Sequence, residues 1–185
     1  MTGRPSIRML LSVPLTVVAI DQVTKFWVAG RMNLFESIPV VPGFFSITYV
    51  RNPGAAFGMF SEAHGLLRMG FLVSVSLVAV VMLSVFFLKS PHAERVSRVA
   101  AVLVIGGALG NLIDRLRFGE VIDFLDVFVG RLHWPAFNVA DSAITIGIGM
   151  FVVSAWRERE VRRQPRSDGP SPAATRPPHH PGDAP

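Results

Sequence analysis

The chain has 185 residues, of which 50% are hydrophobic and only 17% charged, with no cysteine and a formal net charge of +5. Soluble domains average about 25% charged residues. The shortfall, with a mean hydropathy of +0.45, points to a membrane protein and makes the basic balance a membrane address rather than a nucleic-acid surface. Absence of cysteine excludes disulfides, thiolate metal sites, iron–sulfur clusters and thiol nucleophiles.

Four stretches reach the length of about 20 apolar residues that a bilayer span requires. In chain order they run from Met9 to Ala29, Leu67 to Leu88, Val96 to Asp114 and Asn138 to Trp156. The first also has the outline of a cleavable leader, with Arg4 and Arg8 ahead of an apolar run and small residues near Gly30. It runs past a normal leader's apolar region and contains Asp21 and Lys25, so it is expected to remain as a span.

Between the first two spans, Ser46 to Val50 is rich in β-branched and aromatic residues and reads as a strand, followed by a turn at Asn52-Pro53-Gly54. A small sheet at the membrane surface is expected there. The connection between spans three and four holds a short apolar stretch, Val121 to Val129, with acids at 123 and 126. Residues 164–185 contain seven of the 14 prolines and no Leu, Ile, Val, Phe or Met, a composition expected to stay disordered. The division is therefore a helical domain over 1–163 and a Pro-rich tail over 164–185.

Short-loop charge sets the orientation. Ten basic residues flank the spans on one side: Arg4, Arg8, Lys89, Arg95, Arg98, Arg157, Arg159, Arg162, Arg163 and Arg166. The two long connections hold five, Arg31, Arg51, Arg115, Arg117 and Arg131, offset by Glu36, Glu62, Glu120, Asp123 and Asp126. Both termini are expected in the cytoplasm and both long connections outside.

Ionisable groups in or near membrane helices are functional candidates by default. Here they gather toward the outer side: Asp21 and Lys25, Asn111, Asp114 and Arg115, Asp123, Asn138 and Asp141. Asn138 and Asp141 share a helix face, as do Asn111 and Arg115, and Asp21 precedes Lys25 by four residues in the favourable order for an ion pair. Neither a Gly-x-Ser-x-Gly elbow nor a His-Glu-x-x-His helix occurs, and His64, His92 and His133 lack metal-ligand spacing. The Gly106-Gly107-Ala108-Leu109-Gly110 run lies in a span, where small residues allow close helix packing. Carboxylates remain. Two close aspartates can share a proton, the ionised one taking a proton from water and the neutral one polarising a peptide carbonyl. That chemistry needs neither metal nor cofactor. Asp123 and Asp141 are the natural pair, with Asp126 and Asp114 as competitors on spacing alone. A proton or ion carrier built on the same Asp and Arg cluster is the alternative, and a non-catalytic helical scaffold a third reading.

Five segments then carry a family resemblance: Asp21-Gln-Val-Thr-Lys25, Tyr49-Val-Arg-Asn-Pro-Gly-Ala-Ala-Phe57, Gly106-Gly-Ala-Leu-Gly-Asn-Leu-Ile-Asp-Arg115, Val121-Ile-Asp-Phe124 and Phe137-Asn-Val-Ala-Asp-Ser-Ala-Ile144. In this order, across residues 9 to 157, the chain resembles lipoprotein signal peptidase, the bacterial type II signal peptidase. The resemblance implies a membrane α-helical fold of four transmembrane helices with a small periplasmic-side β-sheet between helices one and two. It implies a protease in the bacterial cytoplasmic (inner) membrane that cuts a prolipoprotein just before its diacylglyceryl-modified cysteine. It makes Asp123 and Asp141 the catalytic dyad. Asn52, Gly54, Asn111, Arg115 and Asn138 match positions that line the site and hold substrate or steady the dyad, and Asp21 and Lys25 fall in a supporting segment. The cyclic peptide antibiotic globomycin is the implied inhibitor. Phe57 and Trp134 are expected to anchor at the interface.

Overall fold

The computed structural model describes residues 6–54, 65–90 and 94–163. Four helices dominate it: α1 (Ile7–Arg31), α2 (Gly65–Lys89), α3 (Arg95–Phe118) and α4 (Val139–Arg163). All four are long and apolar enough to cross a membrane. A helix of 25 residues, such as α1, is about 37 Å long at 1.5 Å per residue, more than the hydrocarbon thickness of a bilayer. The tail over 164–185, Phe57, His64 and His92 lie outside the described residues.

The helix α3 is the axis, and α1, α2 and α4 each pack against it. It earns that place by small side chains rather than by hydrophobicity. Ala100, Ala101, Gly106, Gly107, Ala108 and Gly110 are all buried, and helices in lipid associate through such close backbone approach because lipid supplies no hydrophobic drive between them. A Cβ added at Gly106 would stand 2.8 Å from Val17 Cβ, and one at Gly147 of α4 would stand 2.8 Å from the Ala100 carbonyl oxygen. A Cβ at Gly107 would collide with the Ala140 carbonyl oxygen. The large apolar side chains instead face outward, as at Leu15 and Phe26 of α1, Val81 and Met82 of α2, and Val152 of α4. An apolar exterior around an interior of small and polar groups is the arrangement expected when lipid is the solvent.

A four-stranded antiparallel sheet caps one end of the bundle, in the order β1 (Ser37–Val41), β2 (Phe45–Asn52), β3 (Val121–Val129), β4 (Leu132–His133). The Ser46–Val50 strand expected from sequence lies within β2. The sheet is larger than the connection between helices one and two, because β2 pairs with β3 from the connection between α3 and α4. That pairing sets Val50 opposite Asp123 and Asn52 opposite Val121. Both long connections therefore lie at the same end. The sheet sits on α1 through a small core of Val28, Met32, Tyr49, Ile122 and Phe124. Between α3 and β3 the chain turns at Gly119, whose φ of 73° is in the left-handed region that glycine occupies without steric cost.

The close approach at Gly107 yields a test. G107A is expected to lower stability by about 1–3 kcal/mol through overpacking, seen as a reduced melting temperature in detergent. G149A on the same bundle, where an added Cβ meets nothing within 4 Å, is expected to show no such loss.

Candidate active site

Five elements converge on the site: the last turns of α1 and α3, the start of α4, and the paired strands β2 and β3. The start of α4 fixes two of the candidates by local helix chemistry. Asn138 stands at the N-cap, and its Oδ1 accepts the Asp141 backbone N–H (2.9 Å), while Asp141 Oδ2 accepts the Asn138 backbone N–H (3.3 Å). This reciprocal pair is a capping box. Asp21 of α1 reaches across to take a further first-turn donor, the Ala140 N–H, at 2.9 Å.

Asp123 on β3 and Asp141 on α4 face one cavity of about 530 Å3. Asn52 and Asn138 both donate to Asp123, at 3.0 Å to Oδ2 and 2.7 Å to Oδ1. Asn111 donates to Asp141 Oδ1 at 2.7 Å. Each asparagine has its own oxygen occupied by a donor: Gly54 N–H for Asn52 (3.0 Å), Lys25 Nζ for Asn111 (3.0 Å) and Asp141 N–H for Asn138 (2.9 Å). With the oxygens engaged, the NH2 groups are turned to the carboxylates. Burial, and then the charge of Asp141, push the Asp123 carboxyl up to about 7, against the lowering effect of the Asn52 and Asn138 hydrogen bonds and of Lys25. Arg115 lines the same cavity and lies in the field of Asp141 and Asp123.

Behind the cavity sits a buried ionic cluster. Lys25 Nζ pairs with Asp21 Oδ2 and Asp114 Oδ2, each at 2.8 Å. Asp114 also accepts Gln22 Nε2 (2.9 Å) and the Ile122 backbone N–H (3.2 Å), which ties α1, α3 and the start of β3 together. The competitors from spacing thus fall elsewhere: Asp114 is held in the ion cluster, and Asp126 pairs with His133 at 3.0 Å on the hairpin. Gln22 is a supporting residue that the sequence reading did not single out. Its only signal was an amide beside Asp21 in an apolar helix.

The rest of the cavity wall is mostly apolar, with Trp134, Phe137, Ile144 and Ile146 among its residues beside Ser142 and Thr145. Trp134, expected as an interface anchor, is exposed and stands on this wall. The cavity therefore offers two carboxylates, the oriented amides of Asn52 and Asn111 and a guanidinium at one rim of a greasy slot, with the Asn138 amide buried behind Asp123. Among the described residues no group of three or more His, Asp or Glu side chains could hold a metal ion. Between Arg98 and Asn111, α3 carries no ionisable residue, so the buried charges do not continue along the central helix as an ion path would require.

A helical membrane enzyme with a carboxylate-bearing cavity at one end of its bundle is the class that fold and site define. Two solved structures of bacterial membrane enzymes share the fold. One has a TM-score of 0.79 at 34% identity, covering 89% of this chain and 97% of its own. The other has a TM-score of 0.75 at 35% identity, covering 85% and 99%. A family model for signal peptidase (SPase) II matches residues 13–157, and with that match the chain belongs to the signal peptidase II family and is a protease. Similar proteins include the lipoprotein signal peptidase of Syntrophus aciditrophicus, 51% identical over 159 residues (86% of this chain and 98% of that protein). Another is the lipoprotein signal peptidase of Geobacter sulfurreducens, 46% identical over 162 residues (88% and 99%).

The ionic cluster gives the second test. K25M leaves two buried carboxylates without their cation and is expected to cost about 3–5 kcal/mol, read as a lowered melting temperature in detergent. K25M/D114N, with one of those charges removed, is expected to recover part of the loss.

Proposed function

We propose that the chain is an aspartic endopeptidase that removes signal peptides from prolipoproteins, cutting just before a diacylglyceryl-modified cysteine. The observation that carries this reading is the pair Asp123 and Asp141 facing one cavity, each holding amide hydrogen bonds, with the remaining wall mostly apolar. The dyad shares one proton. The ionised carboxylate takes a proton from water as the water oxygen attacks the scissile carbonyl carbon, and the neutral carboxyl gives its proton to the carbonyl oxygen. The tetrahedral intermediate then collapses: the C–N bond breaks, a proton passes to the leaving amine of the cysteine, and the signal peptide departs with a new carboxyl group. Asn52, Gly54, Asn111, Arg115 and Asn138 steady the dyad and the peptide backbone, and Asp21 and Lys25 support them from behind.

A lipidated substrate stays in the bilayer by its acyl chains, and Asp141, in the first turn of α4, lies shallow enough to meet a cleavage site at the interface. The excess of basic residues at the opposite end of the helices supports an inner-membrane orientation with both termini cytoplasmic and the dyad near the outer face. Globomycin, in this reading, competes for the same cavity.

Incubation of the purified protein with a diacylglyceryl-modified prolipoprotein, read as a mobility shift, tests the proposal. D123N and D141N are each expected to lower cleavage by about 10³-fold or more while still inserting in the membrane. Full activity in either would remove that residue from the dyad, and a shift insensitive to globomycin would remove the antibiotic from the cavity.

The raised Asp123 carboxyl has a pH consequence. A group held at about 7 in the fold against 3.8 ordinarily favours its neutral form there. Its contribution to stability is complete below the ordinary value and is lost as pH rises through the folded one. D123N, neutral at every pH, is expected to melt higher than the unsubstituted protein near about pH 8, with that advantage shrinking as pH falls and disappearing only near about pH 4.

A further inference from the structure

Arginine-on-ring contacts among the described residues gather at the cavity end of the bundle. Arg31 lies over Trp27 at 5.9 Å, and Arg51 over Tyr49 at 5.9 Å. Phe118, the last residue of α3, takes two guanidinium groups at once, Arg51 at 5.4 Å and Arg117 at 4.8 Å. One of these arginines is on β2 and the other on α3, and their meeting is set by the pairing of Arg51 with Ile122 on β3. The Nε of Arg51 donates to the Tyr49 hydroxyl at 2.9 Å, which holds the group in place and leaves its terminal nitrogens to other partners.

Two cations drawn to one ring repel each other, and the ring's quadrupole offsets only part of that. A carboxylate would be the usual remedy inside a protein. Ion pairs among the described residues include Lys25 with Asp21 and Asp114, and His133 with Asp126; none of the described carboxylates lies within 4.0 Å of Arg51 or Arg117. Both side chains are exposed. An anion from outside the chain fits the pair, and guanidinium favours phosphate oxygens by its planar fork of donors.

The surroundings select the kind of phosphate. Phe118 is 41% exposed and Leu116, beside Arg117, is 63% exposed. The N-terminal part of α2 lies next to them, since a Cβ at Gly119 would stand 3.9 Å from Met69 Sδ; Leu66 and Leu67, one turn earlier in that helix, are exposed as well. A polar head over an apolar wall matches an amphiphile rather than a free ion. We infer that Arg51, Arg117 and Phe118 form a binding site for the phosphate headgroup of a net-anionic phospholipid at the cavity end of the bundle. A zwitterionic headgroup brings its own cation toward two guanidinium groups and is disfavoured. The site is separate from the cavity and does not depend on the peptidase reading.

Native mass spectrometry of the full chain, titrated with phosphatidylglycerol or phosphatidylcholine of equal acyl chains, tests it. The unsubstituted protein is expected to retain phosphatidylglycerol preferentially, and R51Q/R117Q to lose about fivefold of that preference for each guanidinium removed. Neither side chain lines the cavity, so cleavage of detergent-solubilised substrate is expected to be unchanged, which separates lost lipid binding from misfolding. Equal retention of the two lipids by the unsubstituted protein, or an undiminished preference in R51Q/R117Q, overturns the site. Competition by glycerol 3-phosphate at the same concentration as the lipid also overturns it, by making the ligand a soluble phosphate.

Discussion

A lysine ammonium has three protons to donate and no lone pair to accept with. In this chain all three protons of Lys25 have partners at 2.8, 2.8 and 3.0 Å: Asp21, Asp114 and Asn111. The arrangement compensates one cation with two anions in a place where water cannot help, and its consequences reach beyond charge balance. Asp21 is held so that it can also cap the first turn of α4 through Ala140. Asp114 is held so that it can also accept one N–H at the start of β3, that of Ile122. The two elements that bear the cavity's carboxylates are thus tied to the same ammonium.

The third partner sets a polarity. An asparagine amide can present either its oxygen or its nitrogen to a neighbour, and only the hydrogen-bond network decides which. Lys25 can only donate, so the Asn111 oxygen must face it and the nitrogen must face Asp141. The capping box does the same for Asn138, and the turn at Gly54 does it for Asn52. Three amides from three segments all point N–H at the carboxyl groups. A reversed amide would set oxygen against oxygen, and in a low-dielectric site that mismatch is costly. Arranged this way, the amides favour the ionised form of whichever aspartate they face, while burial and the neighbouring charge favour the neutral form. Asp123 is pushed up to about 7 by the excess of the latter.

Much of this was legible from the chain alone because the four spans and the end at which the polar groups gather are properties of local composition. The ion pair of Asp21 with Lys25 and the shared face of Asn138 and Asp141 follow from helical spacing. The long-range facts were not legible. Val121 to Val129 reads only as an apolar stretch, because its first four residues are buried and it lacks the alternation that marks a half-exposed strand. Its partnership with β2, which brings Asn52 to Asp123, joins residues 71 apart in sequence. Spacing also left Asp114 as a rival to Asp123. Only the tertiary contact with Lys25 distinguishes a carboxylate committed to an ion pair from one facing the cavity, and the same contact gives Gln22 its part.

The glycines and the charges, which look like separate features of the sequence, turn out to constrain each other. A Cβ on Gly110 would stand 2.7 Å from Asp21 Oδ2 and 3.1 Å from Ala140 Cβ. The missing side chain is what lets α1 and α4 come near enough to α3 for Asp21 to reach both Lys25 and the start of α4. Close backbone packing in lipid is usually ascribed to dispersion. Here the close approach also sets the distances of an ionic cluster that would be prohibitively unfavourable if its members stood apart in hydrocarbon. A larger residue in that stripe would therefore act twice, by separating helices and by stranding charges, so the glycines of α3 belong to the electrostatics of the site as much as to the packing of the bundle.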